Sequence, residues 1–189
     1  MNENTPIKIF AVSGSLRAAS SNTSVLRAIA NMASQNVEFT IYEGLDSLPF
    51  FSPERDTEDV HSAVADLRKQ IQNSAAVIVC TPEYAFGVPG ALKNALDWTV
   101  SSGDFSKKPL ALISASPLAS GADKAHAALL LTFKALDAII TKKTKLIIPI
   151  VYKKLSEDVV TDEETKQQLK TLLNALIELV KDKREMTVE

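Results

Sequence analysis

Polar side chains suited to holding a phosphate cluster near the start of the chain, between residues 13 and 23. Gly14 permits close backbone approach, and Arg17 brings a permanent positive charge with a forked donor geometry that matches phosphate oxygens. The other hydroxyl and amide donors of this stretch are Ser15, Ser20, Asn22 and Thr23. These residue types favour a phosphate monoester as the ligand, although helix capping alone would also select many of them.

The elements on either side of this segment explain how it would hold an anion. Residues 7–12 form a short, β-branched apolar run that predicts a buried strand, and apolar residues recur at helical spacing over 25–32. Asn22 or Thr23 is well placed as the N-cap of that helix. A loop between a strand and a helix N-terminus presents unpaired N–H groups and a partial positive charge. The glycine patterns of dinucleotide folds and of P-loop enzymes are both absent from the sequence.

Length and composition limit the classes of protein that the chain can represent. At 189 residues it can form one domain with its own core, so we expect a single domain over 1–189 with flexible ends at 1–6 and 184–189.

The net charge of −2 argues against a nucleic-acid partner. No apolar stretch approaches the ~20 residues that span a bilayer, so we expect no membrane partner. One cysteine and two separated histidines provide neither a disulfide nor a metal site. The polar first residues, which lack signal-peptide character, predict a cytoplasmic protein.

Strand-like and helix-like segments alternate along the rest of the chain. The alternation predicts an α/β protein with a three-layer, doubly wound parallel sheet of five strands. The further predicted strands cover 37–42, 75–81, 110–114 and 145–151, and the further predicted helices cover 57–73, 91–100, 124–140 and a last segment from Thr161. Thr57, Glu58 and Asp59 would give the second helix an acid-rich first turn.

An apolar cluster at residues 48–51 (LPFF) interrupts the irregular connection over 43–55. Two explanations are open: the loop packs on its own domain, or it forms a hydrophobic patch at a subunit interface or a pocket rim.

Small-residue loops follow the first, third and fourth predicted strands. The second loop covers residues 82–90 (PEYAFGVPG) and the third covers 116–123 (SPLASGAD). With the strand order 2-1-3-4-5 these three strands are neighbours, and ligands of such sheets bind outside the carboxyl ends of the strands. We therefore expect the three loops to converge on one crevice.

Such a crevice would suit a flat ring that carries a phosphate some distance away. Tyr84, Phe86 and the backbone of the second loop offer a surface for one edge and one face of the ring, and Ser116 and Gly121 could close on the other edge. Flavin mononucleotide (FMN) has this shape, and the switch point of this strand order is a known position for FMN.

Two of these segments resemble the NADPH-dependent FMN reductase family, which includes bacterial chromate and quinone reductases and flavin-dependent azoreductases. They are GSLRAASSN (14–22) and TPEYAFGVPGALKNALDW (81–98), and the likeness in strand and loop order covers nearly the whole chain. The resemblance implies a flavodoxin-like FMN-binding domain, NADPH or NADH as reductant, and a homodimer or homotetramer. It also implies that Ser15, Arg17, Ser20, Asn22 and Thr23 hold the phosphate, that Pro82, Glu83, Tyr84, Ala85 and Phe86 line the ribityl chain and isoalloxazine ring, and that Ser116 meets the pyrimidine edge.

The chain departs from the family pattern at two of the three loops. Ala85 stands where the family usually has Asn, so only a backbone contact can survive there. In the third loop, which usually reads SPG with a later Gly-Gly and an Arg, this chain has Leu118, Gly121-Ala122 and Lys124. FMN binding is still expected, whereas the preferred acceptor and nicotinamide stay open.

Other residues with possible chemistry have structural explanations. Glu83 and Tyr84 could form an acid–base pair, but we expect Glu83 to cap or pair locally and Tyr84 to act as a wall. Cys80 ends a buried strand without a second cysteine or an adjacent base, which favours an inert core thiol. Trp98 is expected in the core or at an interface. The histidines, His61 and His126, are expected at the surface, and Lys142, Lys143 and Lys145 at a solvated helix end.

The sequence therefore predicts an FMN-dependent NAD(P)H oxidoreductase. A hydride would pass from the reduced nicotinamide through FMN to a small-molecule electron acceptor: a quinone, a flavin, an azo compound or a metal oxyanion such as chromate. We expect no catalytic side chain, because the flavin supplies this chemistry. A flavodoxin-like electron carrier and a non-catalytic FMN-binding module are alternatives, and the low net charge disfavours a carrier. A hydrolase using Ser15 or Ser20 is disfavoured because none of the three loops contains a histidine.

Overall fold

Five parallel strands form the centre of the computed structural model, which describes residues 6–186. The strands are β1 (Ile7–Ser13), β2 (Val37–Tyr42), β3 (Ala76–Thr81), β4 (Leu110–Ala115) and β5 (Lys145–Ile148). They are hydrogen-bonded in the order β2-β1-β3-β4-β5, which confirms the predicted doubly wound topology. Every residue of β3 and β4 is buried, because helices cover both faces of the central strands.

Five α-helices lie on the two faces of the sheet: α1 (Ser21–Met32), α2 (Ser62–Asn73), α3 (Gly90–Asp97), α4 (Asp123–Ala135) and α5 (Glu163–Met186). The alternation of side chains along β1 divides the core in two. Ile9 and Ala11 pack with α1 and α5, whereas Phe10 and Val12 pack with α2, α3 and α4. A short antiparallel hairpin, β6 (Leu155–Ser156) and β7 (Val159–Val160), precedes α5.

The second helix begins later than predicted. It starts at Ser62, where the Nδ1 atom of His61 accepts a hydrogen bond from the N–H of Ala63, so the predicted start at Thr57 is wrong. Asp56, just before the predicted helix start, forms a 2.7 Å ion pair with Arg68 of α2. Residues 57–59 form a bend and a turn ahead of the helix instead of its acidic first turn.

Three other predicted segments are too long at their C-terminal ends. Strand β5 stops at Ile148 because Ile150 has a left-handed backbone (φ 51°), after which residues 151–153 form a 3₁₀ turn. Helix α4 ends at Ala135 rather than at residue 140 because Asp137 is also left-handed (φ 61°). Helix α3 ends at Asp97. The last helix begins at Glu163, two residues after Thr161.

The apolar connection between β2 and α2 packs mainly on the domain. Leu48 is buried, and the ring of Phe51 meets Trp98 edge-on at a centroid distance of 5.1 Å. Trp98 is fully buried, and its indole N–H donates to the carbonyl of Pro49 over 2.8 Å. Phe50, in contrast, is 84% exposed. The packing explanation therefore holds for most of this segment, and Trp98 is a core residue.

The expected flexible ends fall largely on residues 1–5 and 187–189, which lie outside the described residues. Residues 184–186 continue α5. Across residues 6–186, the helices are too short or too polar to cross a membrane.

Candidate functional site

The loop between β1 and α1 ends in a side-chain cap. The hydroxyl of Ser20 accepts a hydrogen bond from the N–H of Thr23 at 3.4 Å, so Ser20 is the N-cap and the predicted capping by Asn22 or Thr23 is wrong. Ser15, nearly buried, accepts from the N–H of Arg17 at 3.3 Å. These two hydroxyls fix the path of the loop.

Asn22 has a different role because its side chain points into the protein. Its Nδ2 donates to the carbonyl of Ala115 at 3.3 Å, and its Oδ1 accepts from the thiol of Cys80 at 3.2 Å. The amide, only 4% exposed, thus joins the first turn of α1 to the last residue of β4 and to β3. Its side chain is therefore engaged within the protein.

Several donors of this loop have no partner within residues 6–186. The N–H groups of Ala18, Ala19, Ser21 and Asn22 donate to no acceptor among the described residues, and the guanidinium of exposed Arg17 makes no hydrogen bond or ion pair with them. A row of unpaired N–H groups at a helix N-terminus beside an arginine fits a phosphate dianion. The donor set therefore fits the phosphate end of FMN.

Gly14 is required by packing rather than by ligand approach. A Cβ there would lie 2.9 Å from Oγ1 of Thr81 and 3.0 Å from Cδ2 of Leu92. The loop is thereby pressed against the end of β3 and the first turns of α3.

The second loop contains a tight hairpin turn. Tyr84 and Gly87 exchange two backbone hydrogen bonds of 2.9 and 3.2 Å, and the residues between them, Ala85 and Phe86, have φ values of 50° and 60°. Positive φ at both central positions defines a type I′ turn, which normally uses Asn and Gly. Each non-glycine residue in this conformation costs about 1–2 kcal/mol. Sequence reasoning missed this turn because Ala-Phe carries no signal for it.

The side chains of the second loop divide between buried anchors and exposed rings. Pro82 and Pro89 are buried, whereas Tyr84 is 50% exposed and Phe86 is 80% exposed. The loop is therefore anchored at both ends and presents its aromatic side chains to solvent.

Glu83 ties the second loop to the helix that follows the third loop. Its Oε2 accepts a hydrogen bond from the N–H of Ala125, in the first turn of α4, over 2.9 Å. The structural interpretation of Glu83 as a capping residue holds, but the capped helix is α4 rather than a local one. An acid–base role is not supported by this contact, because the carboxylate is occupied as a cap.

The third loop is fixed to the edge strand. Ser116 is buried, its N–H donates to the carbonyl of Ile148 at 3.2 Å, and its hydroxyl accepts from the N–H of Leu118 at 3.1 Å. Gly121 and Ala122 are both left-handed, with φ values of 65° and 68°. Leu118, the departure from the family pattern, is 62% exposed.

The three loops lie at one edge of the sheet. Ser20, Tyr84 and Ser116 follow the carboxyl ends of β1, β3 and β4, which are adjacent strands. A cleft of about 300 Å³ opens between the first two loops. It is lined by Gly14, Leu16, Arg17, Tyr84, Pro89, Gly90 and Ala91. Leu16 and the start of α3 were not predicted as lining residues, because no polar or aromatic side chain marks them.

The remaining titratable candidates are not positioned for acid–base work. Burial raises the pKa of the Cys80 thiol, which therefore stays neutral. His61 is exposed, as expected, but His126 is 5% exposed, so its predicted surface position is wrong. Burial, and then the charge of Lys145, lower the pKa of His126 to about 4. Within the described chain, no group of three or more His, Cys, Asp or Glu side chains could hold a metal ion.

A model of the NADPH-dependent FMN reductase family matches residues 7–153. The chain belongs to the NADPH-dependent FMN reductase family. Family membership makes it an oxidoreductase that uses FMN as cofactor and NAD(P)H as reductant, and its sheet order makes the fold flavodoxin-like.

Three known proteins align over most of this chain. A 2-hydroxy-1,4-benzoquinone reductase from Burkholderia sp is 29% identical over 182 residues, covering 94% of this chain and 98% of that protein. A quinone reductase from Escherichia coli (strain K12) is 27% identical over 179 residues, covering 92% and 95%. Among solved structures, the flavoenzyme NAD(P)H:(acceptor) oxidoreductase from Paracoccus denitrificans superposes with a TM-score of 0.84 at 27% identity, covering 93% and 98%.

Proposed function

We propose that this FMN reductase family member is a single-domain enzyme over residues 1–189 that passes electrons from NAD(P)H through FMN to a quinone. The observation that carries the proposal is the convergence of a donor-rich loop, a turn with exposed aromatic rings and a third closing loop at one sheet edge. Each part matches one part of FMN: phosphate, ring face and ring edge.

The binding assignment follows from the unpaired donors and the loop anchors. Arg17 and the N–H groups of the first loop hold the phosphate, with Asn22 contributing its backbone N–H because its side chain is engaged with Cys80 and Ala115. Ser116 meets the pyrimidine edge. The other residues assigned to the phosphate are Ser15, Ser20 and Thr23, and those assigned to the ribityl chain and ring are Pro82, Glu83, Tyr84, Ala85 and Phe86.

The chemistry assigned to the chain's own residues is positioning. When bound, FMN supplies hydride acceptance from NAD(P)H and electron delivery to the acceptor. Glu83 is occupied as a helix cap and Cys80 stays neutral, so neither is positioned to move a proton. Tyr84 and the backbone of its turn orient the flat ring, and the three loops together exclude water from one face. No catalytic side chain is assigned.

A quinone is the best-supported acceptor. The aligned relatives named above are a benzoquinone reductase and a quinone reductase. Free flavins, azo compounds and metal oxyanions such as chromate, which the resemblance to the family implies, are further acceptors to test.

Assembly and location complete the proposal. Leu131 is 71% exposed on the outer side of α4, where Ala127 is exposed beside it, and Phe50 projects from the connection before α2. The resemblance to the family implies a homodimer or homotetramer, and the exposed pair of Ala127 and Leu131 on one face of α4 is a candidate contact surface. We propose a cytoplasmic enzyme.

A turnover assay tests the proposed function. The purified protein, supplied with FMN, is mixed with NADH or NADPH and 1,4-benzoquinone, and nicotinamide oxidation is followed in the absence of air. Quinone-dependent oxidation that requires bound FMN is the expected result. FMN binding without turnover would instead indicate an electron carrier or a binding module.

A further inference from the structure

Phe86 occupies an unfavourable backbone conformation and gains no burial of its side chain from it. It is the second central residue of the type I′ turn, with a φ of 60°, and its neighbour Ala85 has a φ of 50°. Its ring is 80% exposed, so the free energy of burying it does not offset the backbone strain. A strained residue that the fold itself does not use points to a function outside the fold.

The turn that carries Phe86 is firmly held. Tyr84 and Gly87 exchange two backbone hydrogen bonds, and Glu83 is bonded to the N–H of Ala125 in α4. The prolines that flank the loop are buried. The ring of Phe86 is therefore presented on a fixed platform rather than on a mobile loop.

Other apolar side chains are exposed at the same edge. Tyr84 and Leu16 line the cleft and are 50% and 56% exposed, and Leu118 of the third loop is 62% exposed. Apart from Arg17, which the proposed function assigns to the FMN phosphate, the exposed side chains named here are apolar in all three loops. Such surroundings favour a flat apolar molecule and disfavour a small, strongly hydrated anion.

We propose that Phe86 is a specificity-determining residue, whose ring, held by the strained turn, selects planar aromatic acceptors over hydrated metal oxyanions. This inference rests on the proposed function and assigns the acceptor preference to one side chain. Aromatic stacking at the mouth of the site would hold the acceptor plane against the ring of Phe86.

The test compares two acceptors in the same enzyme. The ratio of kcat/KM for 1,4-naphthoquinone to kcat/KM for chromate is measured in the wild type and in Phe86→Gly, Phe86→Leu and Phe86→Tyr holoenzymes. Both acceptors draw on the same reduced flavin, so the ratio is independent of flavin content. We expect it to fall about three- to tenfold in Phe86→Gly and Phe86→Leu, the range that one aromatic contact provides. In Phe86→Tyr, which keeps an aromatic ring, the ratio of the two kcat/KM values should stay close to that of the wild type.

A matched control separates the ring from the strain. Glu157, in the β6–β7 hairpin, is also left-handed (φ 52°) and exposed, so Glu157→Gly relieves similar strain elsewhere. Both glycine variants should raise the urea midpoint of unfolding, but only Phe86→Gly should change the acceptor ratio.

A binding readout without turnover accompanies the kinetics. Equilibrium dialysis of 1,4-naphthoquinone against the oxidised holoenzyme should give a weaker Kd for Phe86→Gly and Phe86→Leu, with Phe86→Tyr and Glu157→Gly unchanged. An unchanged ratio and Kd in Phe86→Leu, which keeps the strained backbone and loses only the ring, would overturn the inference while quinone turnover persists. Absence of NAD(P)H-dependent turnover in the wild type would overturn the proposed function and the inference with it.

Discussion

The carboxylate of Glu83 accepts a hydrogen bond from the backbone N–H of Ala125 over 2.9 Å. This contact joins the loop after β3 to the helix that follows the loop after β4, across 42 positions of sequence. Because the bond satisfies a first-turn N–H of α4 with a negative charge, it stabilises the helix and holds the second loop in place.

Removing this cap should cost stability and loosen flavin binding. Glu83→Ala is expected to lower the free energy of unfolding by about 1 kcal/mol, since an N-terminal cap is lost. Glu83→Gln keeps an acceptor oxygen and should recover much of that loss. Urea titration measures the effect, with Glu178→Ala on the exposed side of α5 as the control. Equal stability of Glu83→Ala and the control would contradict the capping role.

Asn22 should behave as a positioning residue for the phosphate loop. Asn22→Ala leaves the Cys80 thiol and the Ala115 carbonyl buried without a partner, which costs about 2 kcal/mol of stability. The affinity for FMN should fall more than that for riboflavin, which lacks the phosphate. Fluorescence titration of both flavins measures this ratio. Ser21→Ala, at the exposed neighbouring position, should leave the ratio of FMN affinity to riboflavin affinity unchanged. A similar drop of this ratio in Ser21→Ala would argue against a specific role for Asn22.

Arg17 should contribute to phosphate binding and not to ring binding. Arg17→Ala is expected to weaken FMN binding about tenfold to a hundredfold, the value of a charge-assisted hydrogen bond, with riboflavin affinity almost unchanged. Arg17→Lys keeps the charge but not the fork, so it should recover only part of the loss. The exposed Arg55→Ala variant serves as the control in the same titrations. An equal loss of affinity for FMN and for riboflavin in Arg17→Ala would show that the guanidinium does not act through the phosphate.

His126 should make the protein less stable in acid. Its pKa in the folded state, about 4, is below the unfolded value of 6.5, so the unfolded chain binds the proton first as the pH falls. Its full contribution to stability is present above pH 6.5, and about 3 kcal/mol is lost by the time the pH has fallen below 4. His126→Leu should remove this part of the pH dependence, because leucine does not titrate. The substitution breaks no hydrogen bond at Nδ1, which has no partner in the folded protein. Urea midpoints at pH 7 and pH 4.5 measure it; identical acid sensitivity in both proteins would contradict the assignment.

The sequence contained enough information for the sheet but not for the ends of its elements. Continuous apolar runs such as those of β3 and β4 specify buried parallel strands, and their alternation with helices specifies the topology. The end of β5 depends on the left-handed backbone of Ile150, for which an isoleucine gives no signal. Helix α2 starts at Ser62 behind a His61 cap, and histidine is not among the residue types that capping preferences favour.

The site was predictable at the level of loops and less so at the level of side chains. His126 shares a helical face with Leu129 and Phe133, both buried, so periodicity could have placed it inside. The inward orientation of Asn22 and the bond from Ala125 to Glu83 join residues far apart in sequence, so local patterns do not reveal them.

Anaerobic stopped-flow mixing of the FMN-loaded protein with NADPH, and separately with NADH, tests the central claim most directly. If the three loops form one flavin site open to a nicotinamide, the yellow colour of the oxidised flavin should bleach within seconds with at least one of the two. A protein that takes up no FMN, or one whose bound flavin stays yellow with both nicotinamides, would contradict the account.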